Sequence, residues 1–258
     1  MVRVQILVLL ALLKKNKIRG LKRWLIATFF IGYILEVIEE LGIDNLKIIQ
    51  DDTLYRFTSD AVLLSRFATF KKDDIVADFC SGSGIVGIHY YALNKGVKSV
   101  DLYEIQKELS DLSYKSVKIN NLEDIVNVYN MKIQDIPNDK NDKYSLILCN
   151  PPYKKKNSGE VSLDIKKAMC RHEITITQEE IIEIAYKKLK YGGRLCICQR
   201  IERFTDMIVK MRQVGLEPSR IQFVVTKEGN PPYLYLIEGV KGVKPQLKVL
   251  KNCINGGV

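Results

Sequence analysis

The stretch Asp78-Phe79-Cys80-Ser81-Gly82-Ser83-Gly84 decides the fold of this 258-residue chain. It closes an apolar run that begins at Ile75, and the apolar run Ile85 to Leu93 follows it. A strand pattern, a glycine turn and a helix pattern in this order are typical of a nucleotide-binding α/β unit. Glycines are needed there because a ligand must approach the backbone with no Cβ in the way. The stretch therefore predicts a nucleotide site at the carboxyl end of the first strand.

Strand and helix patterns alternate on both sides of this turn. Helices are predicted over residues 36–41, 58–66, 85–93, 107–120 and 204–214, with one more from the Thr177/Glu180 capping box to Gly192-Gly193. Strands are predicted over residues 46–50, 75–79, 97–103, 126–129, 144–149, 194–199, 221–226 and 234–240. Strands joined by helices imply right-handed crossovers. We therefore expect an α/β fold, a mostly parallel sheet with helices on both faces and ligands at the strand carboxyl ends.

Two acidic residues near the turn bear on which nucleotide it binds. Glu104 ends the second strand, twenty residues after Gly84, where an acid can hold two ribose hydroxyls. Asp78 directly precedes the turn, and its carboxylate suits the cationic methionine end of S-adenosylmethionine better than a dinucleotide pyrophosphate. A carboxylate at this position could also simply cap the turn amides. The spacing by itself leaves NAD and S-adenosylmethionine open.

Asn-Pro-Pro-Tyr occurs twice, at 150–153 and at 230–233. The first copy follows the apolar run Leu146-Ile147-Leu148, so we place it at the carboxyl end of a strand, beside the nucleotide site. The second copy precedes the last strand after Glu228-Gly229, where a polar loop containing proline is ordinary. We assign the chemistry to the first copy and a structural turn to the second.

The first copy suits methyl transfer to a planar nitrogen. Asn150 precedes a proline, which favours an extended backbone, and Pro151 with Pro152 holds the turn rigid. The Asn150 side-chain oxygen and the Pro151 carbonyl can both accept hydrogen bonds from an exocyclic NH₂. This would aim the nitrogen lone pair at a methyl sulfonium without a strong base. Tyr153 could stack on the base or simply pack in the protein.

At these residues the sequence resembles the bacterial tRNA1(Val) (adenine-37-N6)-methyltransferase family, of the Rossmann-like class I methyltransferases. The resemblance covers about 41–251 and rests on segments 55–64, 78–84, 150–153, 171–173 and 236–250, together with Glu104. It implies a seven-stranded sheet with a reversed last hairpin, S-adenosyl-L-methionine as cofactor and a tRNA adenine as substrate. It also implies that Phe57 to Asp60 form a wall near the methionine end of the cofactor.

The resemblance assigns roles residue by residue. The implied cofactor contacts are Asp60, Asp78, Cys80, Gly82, Gly84, Glu104 and Asn150. The implied holders of the target base are Asn150, Pro151, Pro152 and Tyr153. Two departures stand out: Cys80 replaces the first glycine of the commoner turn, and Lys132 stands where many methyltransferases have an acid for the cofactor adenine, with Asp135 three residues late.

The net charge of +10 is concentrated at the start of the chain. Residues 1–35 hold seven basic residues and no acid, whereas residues 36–258 hold 33 basic and 30 acidic residues. The two apolar stretches of residues 1–35 fall short of the ~20 residues that span a membrane. We interpret 1–35 as sequence upstream of the true start and 36–258 as the methyltransferase domain. A hairpin on a membrane surface, acting as a peripheral anchor, and a pair of docking helices are the alternatives for residues 1–35.

A second basic cluster directly follows the first Asn-Pro-Pro-Tyr. Residues 151–171 carry six basic residues against Glu160 and Asp164, and we expect four of the six to meet substrate phosphates. Those four are Lys154, Lys155, Lys156 and Arg171. The six cysteines form no CxxC pair and there are two histidines, so we expect no metal and reduced, cytoplasmic thiols.

These observations favour S-adenosylmethionine-dependent N6-adenine methylation of RNA, in a tRNA anticodon loop. One alternative is N5-glutamine methylation of a release factor, which the same amide-compatible turn would allow. Another is a non-catalytic nucleotide-binding or membrane-attached module, and NAD-dependent oxidoreduction is a distant further one.

Overall fold

The computed structural model describes residues 36–54, 56–151 and 176–255. Its strands are β1 Glu36–Glu40, β2 Lys47–Asp51, β3 Ile75–Phe79, β4 Ser99–Glu104, β5 Val126–Asn130, β6 Tyr144–Cys149, β7 Leu189–Arg200, β8 Leu216–Val225, β9 Leu234–Lys241, β10 Lys248–Val249 and β11 Cys253–Ile254. Its α-helices are α1 Ser59–Phe67, α2 Ile85–Leu93, α3 Lys107–Ile119, α4 Gln178–Lys188 and α5 Phe204–Val214. The predictions for residues 1–35 lie outside the described residues.

One large sheet carries the fold. Its seven long strands lie in the order β5-β4-β3-β6-β7-β9-β8, and the two-residue strands β10 and β11 both pair with β8. Strands β3 to β7 pair in parallel, whereas β9 runs antiparallel to both β7 and β8. The mostly parallel α/β sheet with a reversed last hairpin is therefore confirmed, and β10 and β11 are additions that the sequence did not predict.

Helices cover both faces of this sheet, as expected. Alternate strand residues enter two separate cores, because successive side chains of a strand point to opposite faces. Val76 and Leu146 pack with α1, α2 and the end of α3, whereas Ala77 and Ile147 pack with α4 and α5. Each face of the sheet is therefore covered by its own core and helices, and the carboxyl ends of the strands lie between two helical layers.

The first element differs from its prediction. Residues 36–40 form a strand, not a helix, and pair antiparallel with β2 from Glu36↔Asp51 to Glu40↔Lys47. The connection between them has positive φ at Asp44 and Asn45, residue types that tolerate the left-handed region in tight turns. Backbone pairing with β2 outweighs the helix propensity of the glutamates, which is a tertiary effect that local propensity does not contain.

The boundary between α4 and β7 also differs. The Thr177/Glu180 capping box is present, but α4 ends at Lys188 and β7 begins at Leu189, before the glycines that were expected to end the helix. Gly192 has φ 70°, and the β6–β7 register shifts between Tyr144 and Leu146. The glycines therefore belong to an irregular stretch of a long strand.

Candidate active site

The glycine turn leaves its backbone open to a ligand. Cys80 and Gly82 have φ angles of 58° and 57°, in the left-handed region that favours glycine. A Cβ built on Gly82 would have no atom of the described residues within 4 Å. Cys80 occupies its position at a cost of about 1 kcal/mol, which explains why the commoner turn has glycine there. Space for a ligand thus lies directly above Gly82.

The other two glycines of the turn serve packing. Gly84 has φ 85° and precedes α2 as its N-cap. A Cβ on Gly87 would lie 2.5 Å from Leu102 Cδ2 and 3.2 Å from the Asp78 Cβ, so a side chain there would push α2 off the sheet. The spacing Gly82, Gly84, Gly87 therefore combines one open position with two that seat α2 on β3 and β4.

Asp78 and Glu104 are both buried beside this turn and are bound to backbone N–H groups. Oδ2 of Asp78 accepts from Gly87 N at 2.8 Å, whereas Oδ1 has no hydrogen-bond partner in the described part of the chain. Oε2 of Glu104 accepts from Gly82 N and Oε1 from Gln106 N, both at 2.8 Å. Asp78 therefore does cap an amide, with one of its two oxygens, and the other remains for a ligand.

The electrostatic state of both acids follows from this burial. Burial raises the pKa of Asp78 to about 8, with a further rise from the Glu104 charge, against the Gly87 hydrogen bond that lowers it. Burial likewise raises the pKa of Glu104, although the N–H groups of Gln106 and Gly82 oppose the shift. Neither acid has a basic side chain within 4.0 Å among the described residues. A cationic ligand would offset the free-energy cost of burying these carboxylates in their charged form.

Strand register places the first Asn-Pro-Pro-Tyr beside the turn. Phe79 of β3 pairs with Cys149 of β6, so Cys80 and Asn150 leave the ends of neighbouring strands side by side. Neighbouring strands are about 4.8 Å apart. Asn150 is partly buried and Pro151 is buried. The sequence-based placement of Asn150 at the carboxyl end of a strand, next to the nucleotide turn, is confirmed.

Several predicted site residues lie outside the described part of the chain. They are Pro152, Tyr153, Lys154, Lys155, Lys156 and Arg171. Asp60 lies in the first turn of α1, where it accepts a hydrogen bond from the Thr58 hydroxyl at 3.1 Å. Lys132 and Asp135 are both exposed at a short 3-10 turn after β5.

Three residues that the sequence analysis did not single out also shape the site. The Ser113 hydroxyl in α3 donates to Gly82 O at 2.8 Å, and the Asn130 amide at the end of β5 donates to Glu104 O at 2.9 Å. Gln106 supplies the N–H that holds Glu104 Oε1. No sequence motif indicates these three residues. Asn130 could have been predicted, because it ends the strand next to the one that ends at Glu104.

Searches for other kinds of site in the described residues gave three results. No group of three or more His, Cys, Asp or Glu side chains that could hold a metal ion occurs there. No helix within those ranges is both long and apolar enough to span a membrane. Five of the six cysteines lie in the described ranges, and each of the five is a free thiol.

The arrangement fits a nucleoside that carries a cation. Glu104 retains lone pairs for ribose hydroxyls, the backbone above Gly82 is accessible, and the partnerless Asp78 oxygen offers a buried negative site. This is the chemical character of S-adenosylmethionine. Asn150 stands where its amide oxygen can accept from an amino group brought up to that cation.

Known proteins resemble this chain in the same region. The family model described as methyltransferase small domain matches residues 58–217. A tRNA1(Val) (adenine(37)-N6)-methyltransferase of Parabacteroides distasonis is 23% identical over 73% of this chain and 78% of its own. A release factor glutamine methyltransferase of Mycoplasma mycoides is 29% identical over 48% of this chain and 43% of its own. Among solved structures, a predicted O-methyltransferase from Agrobacterium tumefaciens shares the fold at a TM-score of 0.58, with 18% identity over 76% of this chain and 88% of that one.

Proposed function

Because the chain belongs to the methyltransferase small domain family, we propose that it methylates N6 of an adenine in RNA, within a tRNA anticodon loop. Its cofactor is S-adenosyl-L-methionine, which supplies an electrophilic methyl group on a sulfonium when bound. The observation that carries the proposal is the position of Asn150 at the end of β6, beside the glycine turn after β3.

The residues of the site then have separable tasks. Asp78 and Glu104 would hold the cationic and ribose parts of the cofactor over Gly82. Asn150 Oδ1 and the Pro151 carbonyl would accept hydrogen bonds from the adenine amino group, which localises its lone pair and aims it at the methyl group. No strong base is needed, because methyl transfer leaves a positive charge on the nitrogen, which then loses one of its two protons to water.

Substrate class is supported by charge and by relatives. The basic residues at 154–156 and 171 follow the catalytic turn in the sequence and suit phosphate contacts. An adenine in a single-stranded loop can be splayed into such a site at low cost. The Parabacteroides relative bears the name of a tRNA adenine-N6 methyltransferase. We place the reaction in the cytoplasm, where tRNA is modified, and assign it to residues 36–258.

The two Asn-Pro-Pro-Tyr copies provide a matched experiment. Asn150→Ala should lower kcat for methyl transfer to unmodified tRNA by about 10²–10³-fold, because a positioned acceptor in the transition state is lost. The affinity for S-adenosylhomocysteine should fall far less than kcat, because Asp78, Glu104 and the glycine turn remain to hold the cofactor. Asn230→Ala removes the same side chain from the exposed second copy, where its amide donates to the Thr226 hydroxyl, and should leave kcat unchanged. Nucleoside mass spectrometry for N6-methyladenine is the measurement.

A release factor glutamine is the second candidate substrate, favoured by the Mycoplasma relative at 29% identity. A glutamine side-chain amide presents the same NH₂ geometry to Asn150. Parallel assays on total tRNA, DNA and release factor decide between them: methyl incorporation into release factor alone would replace the RNA proposal. Absence of methyl incorporation into all three, by wild type and by Asn150→Ala alike, would indicate a non-catalytic module.

A further inference from the structure

Three distant segments of the chain meet at one side chain near the end of the sequence. The Asn255 amide Nδ2 donates to Ser59 Oγ at 2.8 Å and to Tyr233 Oη at 2.7 Å. The Asn255 backbone N–H is held by Val225 O at 2.9 Å. The amide therefore joins the start of α1 to the tyrosine of the second Asn-Pro-Pro-Tyr, and β8 fixes its position.

This junction lies at the same edge of the sheet as the catalytic turn. Val225 ends β8, and Tyr233 lies just before β9, whose first residue Leu234 pairs with Arg200 at the carboxyl end of β7. Ile201 N–H, immediately after β7, donates to Tyr233 O at 3.2 Å. Because β7 also pairs with β6, only one strand separates β9, which follows Tyr233, from β6, which ends just before Asn150.

The start of α1 lies level with the glycine turn. Both α1 and α2 run from the carboxyl edge of the sheet toward the amino edge, since α1 leads into β3 and α2 follows it. Ser65 Oγ in α1 and His89 Nδ1 in α2 are 2.6 Å apart. Ser59, the first residue of α1, is six residues back from Ser65. Ile85, the first residue of α2 after the turn, is four back from His89. At about 1.5 Å per residue the two helices therefore begin within about one helical turn of each other at this edge.

The bridge is partly buried. Among the described residues, the Asn255 amide is the group that joins the Ser59 hydroxyl to the Tyr233 hydroxyl. Both Nδ2 protons of Asn255 are used, and the Ser59 and Tyr233 hydroxyls share that one donor group. Burial raises the pKa of Tyr233, the Asn255 hydrogen bond lowers it, and the nearby Asp60 carboxylate raises it. Tyr233 is thus neutral and close to Asp60, the residue after Ser59.

We propose that Asn255 is a positioning residue that holds the start of α1 against Tyr233 and so fixes one wall of the cofactor site. The inference rests on the proposed function for the identity of the cofactor. It gives the second Asn-Pro-Pro-Tyr a task that uses its tyrosine, while its asparagine closes a turn with Thr226. The C-terminal segment thereby becomes part of the determinants of cofactor affinity.

The test is S-adenosylhomocysteine binding to the full chain by titration calorimetry, which requires no methyl acceptor. Asn255→Ala should weaken binding about five- to tenfold, because the start of α1 loses its tie. Tyr233→Phe removes one acceptor and keeps the ring, and should weaken binding two- to threefold on the same grounds. Asn252→Ala is the matched control, since Asn252 is an exposed asparagine of the same segment.

A double variant distinguishes a positioning role of Asn255 from a general loss of protein stability. The double variant Ser59→Ala, Asn255→Ala should bind no more weakly than Asn255→Ala alone, because the two side chains act through one bond. Additive losses, or unchanged affinity of folded Asn255→Ala and Tyr233→Phe well below their melting temperatures, would overturn the inference. Binding defects that follow this pattern while no acceptor is methylated would leave the inference intact and refute only the RNA methylation proposal.

Discussion

Buried carboxylates occur at both ends of the parallel strands, and their surroundings differ. Toward the amino ends, Asp74 is paired with Arg194 and Asp101 with two lysines. At the carboxyl ends, Asp78 and Glu104 are held by backbone N–H groups, without a salt bridge to any described residue. Within the described residues, cationic side chains thus neutralise the first pair, whereas the second pair has none and suits a cationic ligand.

The amino-end acids are contacted by cationic side chains and further hydrogen-bond donors. Both Asp74 oxygens accept from Arg194 Nη2 at 2.7 Å, and the Ser145 hydroxyl adds a bond of 2.6 Å to Oδ1. For Asp101, burial acts to raise the pKa, but hydrogen bonds from Tyr144 and Asn127 and the nearby lysine charges leave it below its usual value. Such pairs fix one arrangement of the sheet and its helices.

The carboxyl-end acids show a pKa shift opposite to that of Asp101. The pKa values of Asp78 and Glu104 lie above their usual values because burial dominates and no cation among the described residues offsets it. Perturbed acids of this kind are typical of functional sites. The difference teaches that burial alone does not identify a functional acid in this fold. Among the described residues, the distinguishing feature is a buried acid with no cationic side chain beside it.

The largest effect should come from breaking the amino-end pair. Arg194→Met would leave Asp74 buried without its cation, and we expect the free energy of unfolding to fall by about 3–5 kcal/mol. Arg212→Met removes an exposed pair with Glu217 and should cost under about 1 kcal/mol. Urea unfolding followed by circular dichroism measures both. Equal losses would show that burial does not set the strength of these pairs.

At the carboxyl end, a substitution is expected to change ligand affinity much more than stability. Asp78→Asn keeps an oxygen for Gly87 N–H, so the free energy of unfolding should change by less than about 1 kcal/mol. Affinity for S-adenosylhomocysteine should fall about 30- to 100-fold, because the cationic amino group loses a buried carboxylate.

Asp74→Asn is the matched variant for this prediction. It should lower stability strongly, while binding by the folded fraction should stay within about twofold, since Asp74 lies before β3 at the far end of the strand. If Asp78→Asn instead unfolds the protein as readily as Asp74→Asn, then Asp78 is a structural acid and the contrast between the two ends fails.

Much of this contrast could be read from the sequence at the carboxyl end. Asp78 and the glycine turn, Glu104 and Asn150 each follow an apolar strand pattern, and a parallel sheet brings such ends together without any knowledge of packing. Their juxtaposition was therefore predictable. The amino-end pairs were not, because Asp74 and Arg194 are 120 residues apart and no local pattern links them.

The two wrong predictions and the unpredicted Asn255 bridge have the same origin. The helix predicted over 36–41 is a strand because its partner, β2, supplies the backbone bonds. The predicted helix end at Gly192-Gly193 lies inside β7, where the glycines accommodate a register shift against β6. The Asn255 bridge joins residues 196 positions apart. Long-range pairing decided each case, and periodicity carries no information about it.

The smallest effect concerns the pH dependence of cofactor binding. Burial raises the pKa of Asp78 to about 8, so the cofactor-free protein binds a proton there that the unfolded chain has lost. This group therefore lowers the free energy of unfolding progressively as pH rises from about 4 toward 8. Binding of a cation requires the carboxylate form, so binding must release that proton.

Affinity for S-adenosylhomocysteine should consequently rise from pH 6 to pH 7 by up to about tenfold, the limit for one released proton. Calorimetry in buffers of different ionisation enthalpy measures the number of protons released on binding. The range from pH 6 to pH 7 lies below the pKa of the ligand amino group, which is about 8 or higher. In Asp78→Asn the rise and the proton release should both disappear. A wild-type affinity that is flat over this window would mean that Asp78 is already ionised, and the carboxyl end would then resemble the neutralised amino end.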